Sequence, residues 1–359
     1  MVAASVSVLR STGHQNFRQR VTLAVLSKTS VAITAIRSND YNGDNFGISD
    51  AEVSFLKLVQ LVCPGTSFDV LQGGTGVFLR PGPDGVVGGR FEHVCPLDRS
   101  AGWFIEPLLV LGMFAREPLT VSFTGVTSHG PQSLSVDTIT SVCLPMIRMM
   151  GGNANVTVKS RGALMARGGV VEMQTFPSTL LACDIVDDVP ISCVTGVAYS
   201  YGLPMSFPTQ AADAATSLLG RYFQQMDIVV VAEDQPSEST TSSMADGSDA
   251  VMSDHHITRI FSHPSPDNVG IRASRLLLQE IRQGGCVDKS VQNFVLMLLA
   301  LSSPNTNEQQ PTAGALRIGA LEKETVTCLR DLKAFLEVEF NVQSDAKSRT
   351  VVLKKEWTV

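Results

Sequence analysis

The feature that most constrains this 359-residue chain is an order of elements that recurs three times. "FRQRVTLAVLSK" (17–28) reads as a helix, "VAITAIR" (31–37) as a strand and "SDAEVSFLKLVQLV" (49–62) as a second helix, with strands following at "SFDVL" and "GVFLRP". The second helix opens on a capping box, Ser49 with Glu52, and carries Phe55, Leu58, Val59 and Val62 as a stripe of helical period. The order returns with "AGWFIEPLLVLGMFA" (101–115), "LTVSFTGVT" (119–127) and "SVDTITSVCLPMIRMM" (135–150), closed by strands "NVTVKSRG" and "VVEMQTFP". A third copy runs from "KSVQNFVLMLLALS" (289–302) through "ALRIG" (315–319) and "EKETVTCLRDLKAFLEV" (322–338) to strands "VEFNVQ" and "TVVLKK". A sheet and a helix each bury one apolar side against the other. Three βαβαββ-like copies therefore predict an α/β (α+β) architecture, with the units packed as one pseudo-threefold domain.

Residues 185–274 break the pattern. They hold a helix, "TQAADAATSLLGRYFQQM" (209–226), a strong strand, "DIVVVAE" (227–233), and the acidic stretch "DQPSESTTSSMADGSDAVMSD" (234–254), which has no Lys or Arg and reads as a mobile loop. The expected organisation is a repeat domain made of 1–184 and 275–359, interrupted by a small inserted α/β domain at 185–274.

Charge and cysteine usage narrow the function classes. The net charge is −6, whereas chains that coat nucleic acid by charge are usually basic, so RNA contact is expected to be local or the main partner to be protein. Seven scattered cysteines without a C-x-x-C argue for reduced, mostly buried thiols rather than a disulfide framework or a metal site. "MVAASVSVLR" lacks the apolar core of a secretory signal, and "FVLMLLAL" is too short to span a bilayer, so no membrane association is expected.

No G-x-x-x-x-G-K-[ST] is present, and the glycines of "GGTG" (73–76) and "GVVGGR" (85–90) read first as turns between strands. His255 and His256 adjoin the acidic stretch and, being adjacent, share no helix face. The stretch "STGHQNFRQR" combines a loop, a helix start and positive charge, which suits an anion. Arg18, Arg20 and Arg37 are the candidates, with ordinary salt bridging as the alternative. "RDLK" places Arg330, Asp331 and Lys333 on one helix. Arg330 and Lys333 share a face that suits RNA phosphates or an acidic partner helix; the alternative is a solvated side with Lys333 paired to Glu337.

Several stretches together resemble the RNA 3′-terminal phosphate cyclase family, and its cyclase-like branch more closely. "GHQNFRQRVTLAVLS" resembles E-G-G-G-Q-x-L-R and its helix; "AIRSND" before "GISDAEVSFLKLV" resembles I-R-x-x-R before P-G-L-x-x-Q-H; "CVDKSVQNFVLMLLALS" resembles V-D-x-x-L-x-D-Q-L. "CPLDRSAGWFIEPLLVL" and "ISCVTGVAYS" resemble the cyclase-like branch in particular. The resemblance implies three initiation-factor-like repeats with a small inserted domain. It also implies a cyclase site whose positions have changed. The motif glutamate falls on Ser11, the second arginine on Asp40, the glutamine after P-G-L on Ala51, the D-Q pair on Asn293 and Phe294, and the histidine nucleophile on Thr325. Thr325 lacks an imidazole to carry an adenylyl group, so neither cofactor nor metal is expected, and no enzymatic cyclisation.

What remains implied is a non-catalytic factor of the small-subunit processome, needed for early pre-rRNA processing toward 18S rRNA. Its implied partners are a large ribosome-assembly GTPase and a pre-ribosomal particle with pre-rRNA and the U3 small nucleolar ribonucleoprotein. The chain would act as a monomer within that assembly, in the nucleolus. The alternative is a pre-rRNA endonuclease using Asp331 as its acid or base, flanked by Arg330 and Lys333.

Overall fold

The computed structural model describes residues 8–39, 46–71, 73–127, 133–162, 169–187, 190–201, 203–233, 249–253, 258–262, 265–306, 312–345 and 350–356. The chain begins with β1 (Val8–Thr12), α1 (Phe17–Ser27), β2 (Ser30–Thr34), α2 (Asp50–Val62), β3 (Ser67–Val70) and β4 (Val77–Arg80). These strands form a sheet of order β1-β2-β4-β3, with β1 parallel to β2 and the other pairs antiparallel. β5 (Gly89–Val94), α3 (Ala101–Met113), β6 (Leu119–Gly125), α4 (Val136–Thr138), α5 (Leu144–Met149), β7 (Asn153–Ser160) and β8 (Gly169–Phe176) repeat the plan as β5-β6-β8-β7 with the same senses.

β9 (Asp184–Ile185) starts a third sheet, but the chain leaves it at once. β10 (Cys193–Tyr201), α6 (Ser206–Leu219), β11 (Gln225–Glu233), β12 (Asp249–Ser253), β13 (Thr258–Ser262) and α7 (Pro266–Gln283) build a separate sheet of order β11-β10-β12-β13. The third sheet then resumes through α8 (Gln292–Leu301), β14 (Ala315–Ile318), α9 (Lys323–Leu336), β15 (Phe340–Asp345) and β16 (Thr350–Lys355), in the order β15-β16-β14-β9. The structure is mixed α/β.

The local signals explain most element ends. Ser49 Oγ accepts from the Glu52 amide and the Glu52 carboxylate accepts from the Ser49 amide, so the capping box forms as read. The strand expected at 31–37 is β2 and stops at Thr34, because Ala35 and Arg37 take left-handed backbone at φ 55° and 42°. The helix expected at 209–226 runs from Ser206 to Leu219, and Gln225 and Met226 already belong to β11. The helix expected at 135–150 contains a π-helical turn, Ile139–Cys143. Pro145 has no N–H for the carbonyl four residues back, and the Thr140 and Ser141 hydroxyls donate to the Asp137 carbonyl at 2.9 and 2.7 Å.

Two expectations about the interrupting segment need correction. The stretch 234–254 is not all loop: Asp249–Ser253 is a strand paired with β10 and β13, and its remaining residues lie outside the described ones. Position 274 falls inside α7, which runs unbroken to Gln283. Helix α7 packs on α6 closely enough that a Cβ on Gly270 would lie 2.0 Å from the Ala211 carbonyl oxygen, so only glycine fits there.

One large core gathers apolar residues from the first, second and third sheets and their helices, from Phe17 to Leu353, while Val194, Leu219 and Leu277 centre a smaller cluster under the β11-β10-β12-β13 sheet. Arg161 ties the two regions. It donates to both oxygens of Asp137 at 2.9 and 2.8 Å and lies over the Tyr199 ring at 4.2 Å. His93 on β5 joins the first and second units: its Nε2 lies 3.3 Å from Ser54 Oγ on α2, and its ring packs on Phe104 and Phe123.

Burial lowers the His93 pKa from 6.5 to about 4. The folded chain thus holds this ring neutral while the unfolded chain protonates it below 6.5. More protons are bound by the unfolded state in that window, so stability should fall as pH drops from 6.5 toward 4. Urea denaturation across that range should show this slope in the native chain and a shallower one in His93→Phe; equal slopes would exclude His93 as the source.

Candidate functional site

The expected anion site starts at α1, and its arginines are already satisfied by the chain itself. Arg18 and Arg20 are two residues apart, about 200° around the helix, so they reach different neighbours. Arg18 Nη1 donates to Glu106 Oε2 at 2.7 Å and to the Trp103 carbonyl at 2.6 Å, and its guanidinium stacks over the Trp103 indole at 4.7 Å. The carbonyl contact has a covalent cause. Pro107 sits inside α3 and has no N–H, so the carbonyl four residues back, that of Trp103, loses its helical donor. Arg18 supplies it.

Arg20 turns to the third unit. Its Nε donates to Asp331 Oδ2 at 2.9 Å and its Nη1 to the carbonyls of Thr12 and Gly13 at 3.1 and 3.2 Å. The side chains of Arg20 and Asp331 are only 6% and 9% exposed. Burial raises the Asp331 pKa, opposed by the Arg20 charge and by hydrogen bonds from Arg20 and Asn16. Next to this pair the Asn16 amide also donates to the Glu324 carbonyl, so the start of α1 rests on the start of α9. Arg37 spends its guanidinium on the Glu52 carboxylate and the Gly47 carbonyl. A buried guanidinium without a counter-charge is very costly. Arg18, Arg20 and Arg37 are thus paired with Glu106, Asp331 and Glu52, the salt-bridging alternative weighed for these arginines.

The altered positions are packed into the interior. Thr325 is 1% exposed and its Oγ1 donates to Gln292 Oε1 at 3.0 Å. Phe294 and Ala51 are core residues. Asn293 Oδ1 is buried with no hydrogen-bond partner among the described residues, and Ser11 is half-buried on β1. Asp40 lies outside the described residues. Between α1, α3 and α8 a cavity of about 10 Å³, lined by Gln19, Glu106, Pro107, Val110, Phe294 and Met297, has room for one water at most. Ligand pockets are commonly some 300 Å³ or more.

The α9 trio does not act as one group. Arg330 and Lys333 are exposed, but Asp331 is buried against Arg20, in register with the inward stripe Thr325, Cys328, Leu332 and Phe335. Lys333 pairs with Glu339 at 2.8 Å rather than with Glu337, the left-handed cap of α9 at φ 58°. Among the described residues no group of three or more His, Cys, Asp or Glu is placed to hold a metal, and no helix is long and apolar enough to cross a membrane. Burial lifts the Cys63 and Cys95 thiols to about 12, which keeps them protonated.

A family model described as RNA 3′-terminal phosphate cyclase matches residues 9–342. The chain belongs to that family. Within it, the chain sits with the cyclase-like branch. It is 30% identical to a probable cyclase-like protein of Arabidopsis thaliana over 97% of this chain and 96% of that one. It is 29% identical to a cyclase-like protein of Homo sapiens over 96% and 92% of the two chains. An rRNA processing protein of Saccharomyces cerevisiae is 29% identical over 91% of this chain and 88% of its own.

In this member of the cyclase family, the residues missed from sequence are Trp103, Glu106, Pro107 and Gln292. Glu106 had a legible signal: it is the lone acid in a helix buried throughout its length, and so required a cation.

Two stability experiments follow. Arg20→Met should cost about 3–5 kcal/mol by leaving Asp331 buried and unpaired, and adding Asp331→Leu should recover much of it; a double variant no more stable than the single would refute the pairing. Arg18→Met should cost about 1 kcal/mol less in a Pro107→Ala background, where the Trp103 carbonyl regains its helical donor. Equal costs in both backgrounds would show that Arg18 does not replace that donor.

Proposed function

We propose that this chain is a non-catalytic assembly factor of the small-subunit processome, acting in early pre-rRNA processing toward 18S rRNA. The observation that carries the reading is the closed state of the cleft: Glu106 and Asp331 neutralise the two arginines of α1 from within, and Thr325 is sealed against Gln292. A phosphate bound there would have to displace buried carboxylates. The naming of the Saccharomyces cerevisiae relative, and of a Schizosaccharomyces pombe relative 26% identical to this chain, as rRNA processing proteins supplies the direction.

The reading extends to the architecture and the partners. The shared strand order of three sheets supports initiation-factor-like repeats around a pseudo-threefold axis, with the β10–α7 unit as the inserted domain. The net charge of −6 suits a protein-centred role beside basic segments of a large ribosome-assembly GTPase. The site of action is the nucleolus, in a pre-ribosomal particle holding pre-rRNA and the U3 small nucleolar ribonucleoprotein. Exposed Arg330 and Lys333 are the local positive face offered to RNA or partner there.

The test pairs chemistry with recovery. Purified protein incubated with radiolabelled ATP should acquire no covalent label, and the tagged chain isolated from nucleoli should bring down U3 RNA and a GTPase. Covalent labelling would defeat the non-catalytic reading, and recovery without pre-ribosomal RNA would defeat the assembly role.

A further inference from the structure

Helix α7 turns one row of side chains to solvent. Its buried positions are Val269, Gly270, Ala273, Ser274 and Leu277. After Asp267, its exposed ones are Asn268, Arg272, Arg275, Gln279 and Arg282. At about 100° per residue these five fall within roughly 80° of one another, on the side opposite the buried positions. Their spacing alternates between four and three residues, so the row runs straight along the helix. From Arg272 to Arg282 it covers about 15 Å, at about 1.5 Å per residue.

The row carries charge of one sign, and nothing within the helix balances it. Arg272 and Arg275 stand three residues apart, an unfavourable spacing for like charges. None of the three arginines has an acid three or four residues away. The acids of α7 face elsewhere: Asp267 lies about 100° from the middle of the row, and Glu280 meets Lys289 at 3.5 Å. Other exposed cations do meet acids, as Arg80 meets Asp69 and Lys333 meets Glu339. Arg272 has a contact of its own within the chain. Arg275 and Arg282 pair with no acid among the described residues, and they carry the argument. Helices α6 and α7 run in the same direction, with Ala211 against Val269, Ala215 against Ala273 and Leu219 against Leu277. α6 exposes one acid, Asp213, and Arg221 follows its end, at the same end of the pair as Arg282. Asp234, Glu238, Asp246 and Asp254 lie outside the described residues.

A protein partner would gain little from this row. It offers no apolar side chain to bury, and the centres of protein interfaces are depleted in charge. A phosphate backbone needs what the row provides: guanidinium forks in line, with the Asn268 and Gln279 amides as neutral donors among them. Interfaces with nucleic acid are polar and positively charged. We propose that this face of α7 is a second RNA contact of the chain, at which Arg275 and Arg282 hold phosphates of one RNA strand without reading its sequence. The net charge of −6 then limits contact to local faces such as this one. The inference rests on the pre-rRNA reading for its ligand and adds the surface that would meet it.

The test uses the full chain, with every acid of the inserted unit in place to compete, and a fluorescent oligouridylate. Changing Arg275→Gln and Arg282→Gln together should weaken binding about tenfold at low salt. It should also lower the slope of log affinity against log salt by about 1.4, two phosphates at about 0.7 each. Arg275→Lys with Arg282→Lys keeps the charge and should keep the slope. Arg330→Gln with Lys333→Gln should add an effect of its own, since the two faces share no partner. All four positions are exposed, and unchanged thermal unfolding checks that each variant folds. No binding by the native chain, an unchanged slope in the α7 glutamine variant, or tighter binding of polyglutamate than of oligouridylate at equal salt would overturn the proposal. Recovery of U3 RNA and a GTPase with the tagged chain is read separately, so failure of this RNA face and failure of the assembly role give different results.

Discussion

Two guanidinium groups on one eleven-residue helix hold the repeat units to one another. Arg18 reaches α3 of the second unit and Arg20 reaches α9 of the third, while the body of α1 packs in the first. Each cation meets a carboxylate that is itself buried, so each partner's charge offsets the other's large desolvation cost. The pairs therefore enforce a geometry more than they add net stability. Removing one member of a pair with the packing intact would leave the other as an unpaired charge in a poorly solvating interior.

Pro107 shows how a covalent constraint in one helix is met by a side chain from another. A proline in the middle of α3 deletes one donor, and the freed Trp103 carbonyl would otherwise be an unsatisfied buried acceptor. Arg18 fills that vacancy with the same nitrogen that pairs Glu106. The indole beneath the guanidinium excludes water and strengthens both bonds. A group that in an open cleft would wait for phosphate is here consumed by the architecture. The same holds at Thr325, whose hydroxyl is committed to Gln292.

Several features of the site were readable from period and composition, and others were not. The stripe Thr325, Cys328, Leu332 and Phe335 predicts which face of α9 turns inward, and Asp331 falls beside it. Grouping Asp331 with Arg330 and Lys333 followed adjacency in the chain, whereas a step of one residue turns about 100° around a helix. The leading strands escaped notice for a different reason: β5 mixes Gly, Arg, Glu and His, and β9 has two residues, so neither shows an apolar run. β12 was hidden in a polar, acidic stretch because pairing with β10 and β13, rather than its own composition, makes it a strand.

The amino-acid sequence by itself determined the alternation of helices and strands, the capping box at Ser49 and the threefold recurrence of the pattern, because these rest on local dihedral preferences and on apolar spacing within a few turns. It also carried the motifs that resemble the cyclase family, which is a matter of residue identity alone. Only the tertiary structure decided which carboxylate neutralises which arginine, since Glu106 and Asp331 lie 88 and 311 residues from their partners. Pairings across such separations depend on which surfaces the packed units bring together, and no short-range rule of the chain encodes them.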